Sequence, residues 1–306
     1  MIHSPVVCAI ILNWNGWQDT MRCHGSLKAQ DYPSLRTLVV DNGSTDGSAD
    51  CLEAAGIDWL RLSDNHGFAG GMNRGVQLAV EDGAQYVLMV NNDAVLAPDV
   101  VSKLIAGLER DPDAALAAPT IFHLDPPEKV WYAGGAFSPW TGTVMHWTRR
   151  RSETPMRVTF ATGCCLLMRV EAFQALGGMN EDYFLYFEDV ELCNRLTRQG
   201  YGLLYVPSAH VWHAVGASTG SQLQKAPDLD YYDVRNSLTF ISRHLRGPSR
   251  LSALLFFWVI RLPRKLIRIL VASKFPLDGL LAVALGLGAA MRGEGGPRHR
   301  PKAGAC

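Results

Sequence analysis

Tyr86-Val87-Leu88-Met89-Val90-Asn91-Asn92-Asp93 is a run of strand-forming residues that ends in a short polar triplet closed by a carboxylate. Strands buried on both faces read as near-continuous apolar runs, and ligands of open α/β sheets bind beyond the carboxyl ends of such strands. Asp93 therefore stands where a sheet meets its ligand. One carboxylate there either caps the following helix or holds a divalent cation against an anionic substrate, because hard cations prefer carboxylate oxygens.

Upstream the pattern repeats. Val6 to Leu12 is a buried-strand run breaking into Asn13-Trp14-Asn15-Gly16, and Trp17 to Gln30 reads as a helix ending before Pro33. Leu35 to Val40 is a second strand followed by Asp41-Asn42-Gly43-Ser44, then a helix over Ala49 to Ala55 and a short strand over Asp58 to Leu62. Strands alternating with helices, each strand followed by a polar loop, give βαβ units and a mostly parallel sheet. The stretch from Asn65 to Gly75 carries four glycines and departs from both GxGxxG and the P-loop. It is either a plain turn or a backbone approaching an anion at a helix start, with the helix expected over Gly70 to Glu81.

Downstream of Asp93, a helix is expected from Pro98-Asp99 to about Arg110, then short strands and turns from Ala114 to Arg157 with Trp131, Trp140 and Trp147. Such tryptophans are more often packing than a sugar platform. Thr159 to Met168 reads as a strand enclosing Gly163, and Tyr201 to Pro207 as the last strand. Between them Glu188 and Asp189 open an amphipathic helix, either as charges favoured by the helix dipole or as a general base. His210 and His213 alone default to structural histidines.

The totals bound the partners. The 306 residues carry no net charge, yet Arg243 to Lys302 holds twelve Lys/Arg against two acids, leaving 17 basic and 27 acidic residues elsewhere. Leu251 to Ile260 is apolar and runs into Arg261, Arg264, Lys265 and Arg268, too short and too charged to span a bilayer but suited to lie in its interface. Nucleic acid is disfavoured, since the terminal basic cluster is short. Seven cysteines without metal spacing suit a reducing compartment, and the opening residues lack a secretory pattern.

The ordered set ILNWNG (11–16), VVDNGSTDGS (39–48), NHGFAGGMNRG (65–75), VNNDAVL (90–96), ATGCCLLMR (161–169), GGMNEDYFLYFEDVELCNRLTRQGY (177–201), VWHAVGAS (211–218) and YYDVRN (231–236) resembles the family 2 inverting glycosyltransferases of the GT-A fold, in their rhamnosyltransferase-like branch. The resemblance implies a Rossmann-like catalytic domain over residues 1–240 and a helical, basic amphipathic membrane-interface tail over 241–306. It also implies a nucleotide-sugar donor, with dTDP-rhamnose first and a UDP-hexose, UDP-galactofuranose or UDP-N-acetylhexosamine as alternatives. The acceptor would be a saccharide or lipid-linked saccharide of surface polysaccharide synthesis, used at the cytoplasmic face of a bacterial membrane. By the same likeness Asn13, Asn15, Asp41, Asn65, Gly67, Gly70, Asn73, Arg74, Asn92 and Arg235 serve the donor nucleotide and diphosphate. Asn91-Asn92-Asp93 takes the place of the DxD motif, so Mg²⁺ or Mn²⁺ would rest on Asp93 and His213, and Asp189, beside Glu188, is the expected base. A homodimer is left open. A nucleotide-sugar pyrophosphorylase would want a basic Gly-rich loop after the first strand, and a non-catalytic carbohydrate-binding protein would not need these carboxylates together.

Overall fold

The computed structural model describes residues 4–214, 226–273 and 276–298. The first half delivers the expected alternation: β1 (Val7–Asn13), α1 (Trp17–Lys28), β2 (Leu35–Asp41), α2 (Ser48–Ala54), β3 (Trp59–Arg61), α3 (Gly67–Glu81) and β4 (Tyr86–Asn91). β5 (Ala94–Leu96), α4 (Val100–Arg110), β6 (Ala114–His123), β7 (Val130–Tyr132), β8 (Gly135–Ser138), β9 (Thr143–His146) and β10 (Met156–Val158) follow. Then come β11 (Cys165–Arg169), α5 (Val170–Ala175), α6 (Glu188–Arg198) and β12 (Gly202–His213). The C-terminal part is helical: α7 (Ala226–His244), α8 (Gly247–Phe256), a π-turn over Phe257–Arg261, α9 (Leu262–Ala272) and α10 (Pro276–Arg292).

The main sheet runs β10-β12-β6-β11-β4-β1-β2-β3, with β5 on β12 and β7 on β6. β3, β2, β1 and β4 are parallel, whereas β11 lies antiparallel between β4 and β6. Register aligns Asn13 with Asp41 and Leu12 with Asn91, so three strand ends and their polar loops open on one edge. The strands are apolar on both faces and bury Ile10, Ile11, Val39, Val40, Leu88 and Met89 completely. Helix α3 reaches this layer through Gly75, where a Cβ would stand 2.7 Å from Ile10 Cγ2 and 2.9 Å from Val40 Cγ2. The glycines of 65–75 thus serve close helix–sheet packing as well as the turn.

Four expectations are corrected. Helix α3 starts at Gly67, three residues early, because Gly67 turns the chain at φ 71° and the Phe68 amide bonds to Phe184 O at 3.1 Å. The last strand passes Pro207 and ends at His213: a register shift between Val206 and His210 absorbs the proline, and pairing with β6 resumes. Residues 114–123, expected among short strands, form one long central strand despite Pro119. The strand expected from Thr159 begins only at Cys165, which leaves Gly163 in the loop before it.

The tail is packed as well as basic. Lys265 pairs with Asp230 and Asp233 at 2.7 Å each, Arg261 with Asp233 at 2.6 Å and Arg298 with Asp228 at 2.8 Å, so α7 supplies the acids for these tail cations. Gly286 of α10 lies against the Tyr231 backbone, where a Cβ would meet the carbonyl oxygen at 2.6 Å. The expected division at 240/241 falls inside the continuous helix α7.

Candidate active site

At the open edge, Asn13 and Asp41 are fully buried. Asn13 Nδ2 donates to Asp41 Oδ1 at 2.8 Å and to Ser44 Oγ at 3.1 Å, while Ser44 Oγ accepts the Asn15 amide at 2.9 Å and Asn15 Oδ1 accepts the Thr45 amide at 2.7 Å. Asn15 is itself left-handed, at φ 52°. The pair therefore ties the β1 and β2 loops into one rim, and Asn15 and Ser44 sit nearer its surface. Thr20, which the sequence reading passed over, bridges the rim to the next loop. Its Oγ1 donates to Asn13 Oδ1 at 2.8 Å and accepts from Asn92 Nδ2 at 3.3 Å. Asn92 also donates to Gly16 O at 3.2 Å, so it holds two loops together. Thr20 lies four residues after Gly16 in the first turn of α1, and that spacing was the available signal.

The Gly-rich loop is ordered by a second asparagine that the reading missed. Asn42 Nδ2 donates to Asn65 Oδ1 at 3.1 Å and to Gly67 O at 3.0 Å, and its Oδ1 accepts the His66 amide at 2.9 Å. On the far side of α3, Asn73 exchanges hydrogen bonds with the Met179 backbone and donates to Glu181 at 3.0 Å. Arg74 pairs with Glu181 at 2.6 Å, both half-exposed, and Gly70 leaves room beneath them, its Cβ position being 3.3 Å from Glu181 Oε2. The loop, α3 and residues 179–181 form one connected wall.

Asp93 and His213, far apart in sequence, meet because β5 pairs antiparallel with the end of β12 and sets His213 opposite Ala94. Asp93 Oδ1 lies 2.9 Å from His213 Nε2, and both side chains are buried. Asp93 Oδ1 makes no hydrogen bond, and neither does His213 Nδ1, the nitrogen on the other side of the ring. Trp131 packs edge-on against the imidazole, ring centroids 5.0 Å apart. An orphaned buried carboxylate oxygen beside an imidazole nitrogen is a donor set that suits a divalent cation such as Mn²⁺. Among the described residues no group of three or more His, Cys, Asp or Glu could hold a metal. A cation here would take its remaining ligands from a bound anion.

Asp189 approaches the same edge through the 161–164 loop. Its Oδ2 accepts the Gly163 amide at 3.0 Å, and the next residue, Cys164, offers its carbonyl to the Asn91 amide at 2.9 Å. Glu188 is buried and Asp189 partly buried, and desolvation lifts both carboxyls. Glu188 is pushed up to about 8 by burial and by the neighbouring Asp189, and Asp189 is raised by burial against the lowering effect of its backbone donors. Glu188 Oε2 has no hydrogen-bond partner. The two residues ahead of the pair, Tyr186 and Phe187, hold φ 65° and 73°. Such left-handed conformations cost a bulky residue roughly 1–3 kcal/mol each and cluster at functional sites. Burial, strain and raised carboxyls coincide at this turn, as at tuned acid–base groups.

Arg235 is not free to meet a phosphate. It is buried, and it donates from Nη1 to Gly296 O at 2.7 Å, from Nη2 to Asp182 O at 3.0 Å and from Nε to Asn236 Oδ1 at 2.9 Å. The tryptophans do not act alike either: Trp131 packs on His213, Trp147 lies under the Arg151 guanidinium at 4.0 Å, and Trp140 is exposed.

Comparison with known proteins gives the family and the fold. The profile described as glycosyl transferase family 2 matches residues 8–177, more than half of the chain, from the second residue of β1 through α5. The chain belongs to glycosyl transferase family 2. A second profile, described as N-terminal domain of galactosyltransferase, matches residues 144–214. The family 2 chain is 32% identical over 245 residues to N-acetylglucosaminyl-diphospho-decaprenol L-rhamnosyltransferase of Mycobacterium tuberculosis, covering 71% of this chain and 78% of that protein. It is 24% identical over 215 residues to dTDP-rhamnosyl transferase RfbF of Shigella flexneri, covering 68% and 71%. Among solved structures, the mannosyltransferase PcManGT of Pyrobaculum calidifontis, in complex with GDP-Man and Mn²⁺, superposes with TM-score 0.60 at 16% identity over 95% of this chain and 87% of that one. GalNAc-T7 with UDP, GalNAc and Mn²⁺ superposes with TM-score 0.61 at 17% identity, covering 90% of this chain and 59% of that one. These likenesses fix the fold as GT-A. The chain is a glycosyltransferase with a central, mostly parallel sheet flanked by helices.

Proposed function

We propose that this family 2 enzyme transfers L-rhamnose from dTDP-rhamnose to a lipid-linked saccharide, with inversion, in the synthesis of a surface polysaccharide. One observation carries the site: the Asp93–His213 pair, with Asp93 Oδ1 lacking a hydrogen bond, and the partly buried Asp189 converge, through Asn91 and Cys164, on a single sheet edge. The choice of sugar and of acceptor rests on the rhamnosyltransferase relatives, whose names specify a dTDP-rhamnosyl donor in one case and a diphospho-decaprenol acceptor in the other.

The rim of Asn15 and Ser44, fixed from below by Asn13 and Asp41, receives the nucleotide base and ribose. The wall of Asn65, Gly67, Gly70, Asn73 and Arg74 borders the diphosphate, and Asn92 holds the loop between them. Asp93 and His213 are the residues that would hold Mg²⁺ or Mn²⁺, whose charge would offset that of the departing diphosphate. Asp189 accepts the proton of the acceptor hydroxyl. The freed oxygen attacks the anomeric carbon from the face opposite the diphosphate, the new C–O bond forms as the old one breaks, and the configuration inverts. Burial serves this step: a carboxyl whose affinity for protons is raised is a stronger base than a solvated one. Glu188, which holds its proton up to about pH 8, leaves the negative charge of the pair on Asp189.

The acceptor explains the C-terminal helices. Leu251, Leu255, Trp258 and Val259 share one exposed face, Ile267, Leu270 and Val271 a second, and Leu277, Leu281 and Leu285 a third, each at helical spacing. Exposed Arg264 and Arg268 lie among them. Among the described residues no helix is long and apolar enough to cross a membrane. Apolar faces edged with arginine suit an in-plane seat on anionic lipid, where a lipid-linked acceptor would be met from the cytoplasmic side.

Thermal denaturation with a panel of nucleotide sugars, with and without Mn²⁺, tests the donor. A ligand at 100 times its Kd stabilises by about 2.7 kcal/mol. dTDP-rhamnose should raise the melting temperature most, and the Mn²⁺-dependent part of that rise should vanish in Asp93→Asn. A larger shift with a UDP-hexose, UDP-galactofuranose or UDP-N-acetylhexosamine would replace the donor, and no shift with any nucleotide sugar would overturn the site.

A further inference from the structure

The backbone ahead of the proposed base is strained, and one side chain holds it. Asn236, buried on α7, donates from Nδ2 to the carbonyls of Leu185 and Tyr186, both at 2.8 Å. These peptide groups flank Tyr186 and lead into Phe187, the two residues with positive φ, and Glu188 and Asp189 follow at once. The orientation of the amide is fixed from behind, because Asn236 Oδ1 accepts from Arg235 Nε at 2.9 Å. Arg235 in turn grips Asp182 O and Gly296 O, so the two side chains hold the 182–186 segment at both of its ends. Left-handed φ at a tyrosine and a phenylalanine persists only where the surroundings impose it. Both donors of the Asn236 amide are used in doing so.

We propose that Asn236, oriented by Arg235, is a positioning residue that fixes the Leu185–Phe187 turn and thereby aims Asp189 at the acceptor. The inference rests on the reading of Asp189 as the base. It gives Arg235 a role other than diphosphate contact, and it ties the geometry of the acid–base turn to α7, the helix on which α9 and α10 pack. Displacing a catalytic group by about 1 Å costs on the order of 100-fold in rate, while donor binding is made by other loops.

The test is Asn236→Asp, which keeps shape but replaces the NH2 group and its two N–H donors by an oxygen facing two carbonyls. We expect kcat to fall about 100-fold with KM for the donor within about threefold, the division expected when a group acts only after binding. Amide hydrogen exchange in the ligand-free protein should quicken over residues 185–191 and stay unchanged over β1, β2 and β4. The acid limb of the kcat profile should move to lower pH as the loosened turn admits water to Asp189. If Asn236→Asp proves insoluble, Asn236→Ala is read in the same way. The proposal is overturned if kcat stays within about threefold, or if exchange at 185–191 is unaltered, or if kcat falls only in step with the folded fraction on an unshifted pH profile. Turnover retained in Asp189→Asn alongside quickened exchange in Asn236→Asp would instead remove the base assignment and leave the turn clamp standing.

Discussion

Asp189 and Glu188 show how little charge alone says about a carboxylate. In the chain they are two acids at a helix start, and the helix dipole accounts for them without any catalysis. The burial of Glu188, the Gly163 amide on Asp189 at 3.0 Å and the left-handed turn before them set the pair apart from plain surface charge, which is what the proposed base role of Asp189 needs. Glu188 binds its proton more tightly in the folded protein, at about 8, than the ordinary glutamate value of 4.5. Its contribution to stability is therefore greatest below about pH 4.5 and is lost as pH rises toward 8. Asp189, its close neighbour, bears on the same proton. Chemical denaturation from pH 5 to 8.5 should show stability declining, and Glu188→Gln should flatten the decline and exceed the parent at pH 8.5. A parent slope of zero would contradict this account of the pair. Asp93 was legible as a strand-end carboxylate, whereas His213 was paired with it only by the resemblance, and β5, a strand of three residues, is what brings the two together. Arg235 misled because its partners Asp182 and Gly296 lie 53 and 61 residues away, beyond any local pattern.

At the scale of elements, the parallel half was readable because its strands are buried on both faces and their loops begin with Asn or Asp. The antiparallel half was less so. Pro207 reads as a strand end, yet a bulge carries β12 six residues further, and that extension is what delivers His213. The glycines offer a sharper check on packing. Gly75→Ala forces a methyl against Ile10 and Val40 and should destabilise by about 1–3 kcal/mol. Gly25, inside α1 with no atom within 4 Å of its Cβ position, should accept alanine and gain about 0.5–1 kcal/mol. Urea denaturation of the two variants separates them, and equal shifts of the same sign would refute the close approach of α3 to the sheet.

Across the whole molecule, the tail is helical as expected and is packed as a layer on α7. Its cations are partly neutralised by Asp228, Asp230 and Asp233, and its apolar residues are divided between the α7 contact and solvent. Composition revealed the basic bias. It could not reveal the division, since i, i+3 and i+4 spacing is the same for a buried face as for an exposed one. Sedimentation with vesicles tests the lipid seat. The full chain should bind vesicles rich in anionic lipid and release them as salt rises, and Trp258→Glu with Val271→Glu should abolish binding while leaving donor affinity intact. Equal binding by the double variant would deny these faces a membrane role.

In the proposed reaction one sheet edge binds the nucleotide sugar and Asp189 is the base acting on the acceptor. The most direct measurement is the turnover of Asp189→Asn, with donor affinity determined by calorimetry on the same preparation. Loss of a general base lowers the rate by about 100- to 10,000-fold, so turnover should fall by that much while donor Kd stays within about threefold. Turnover retained within a few-fold of the parent, with the donor still bound, would contradict it.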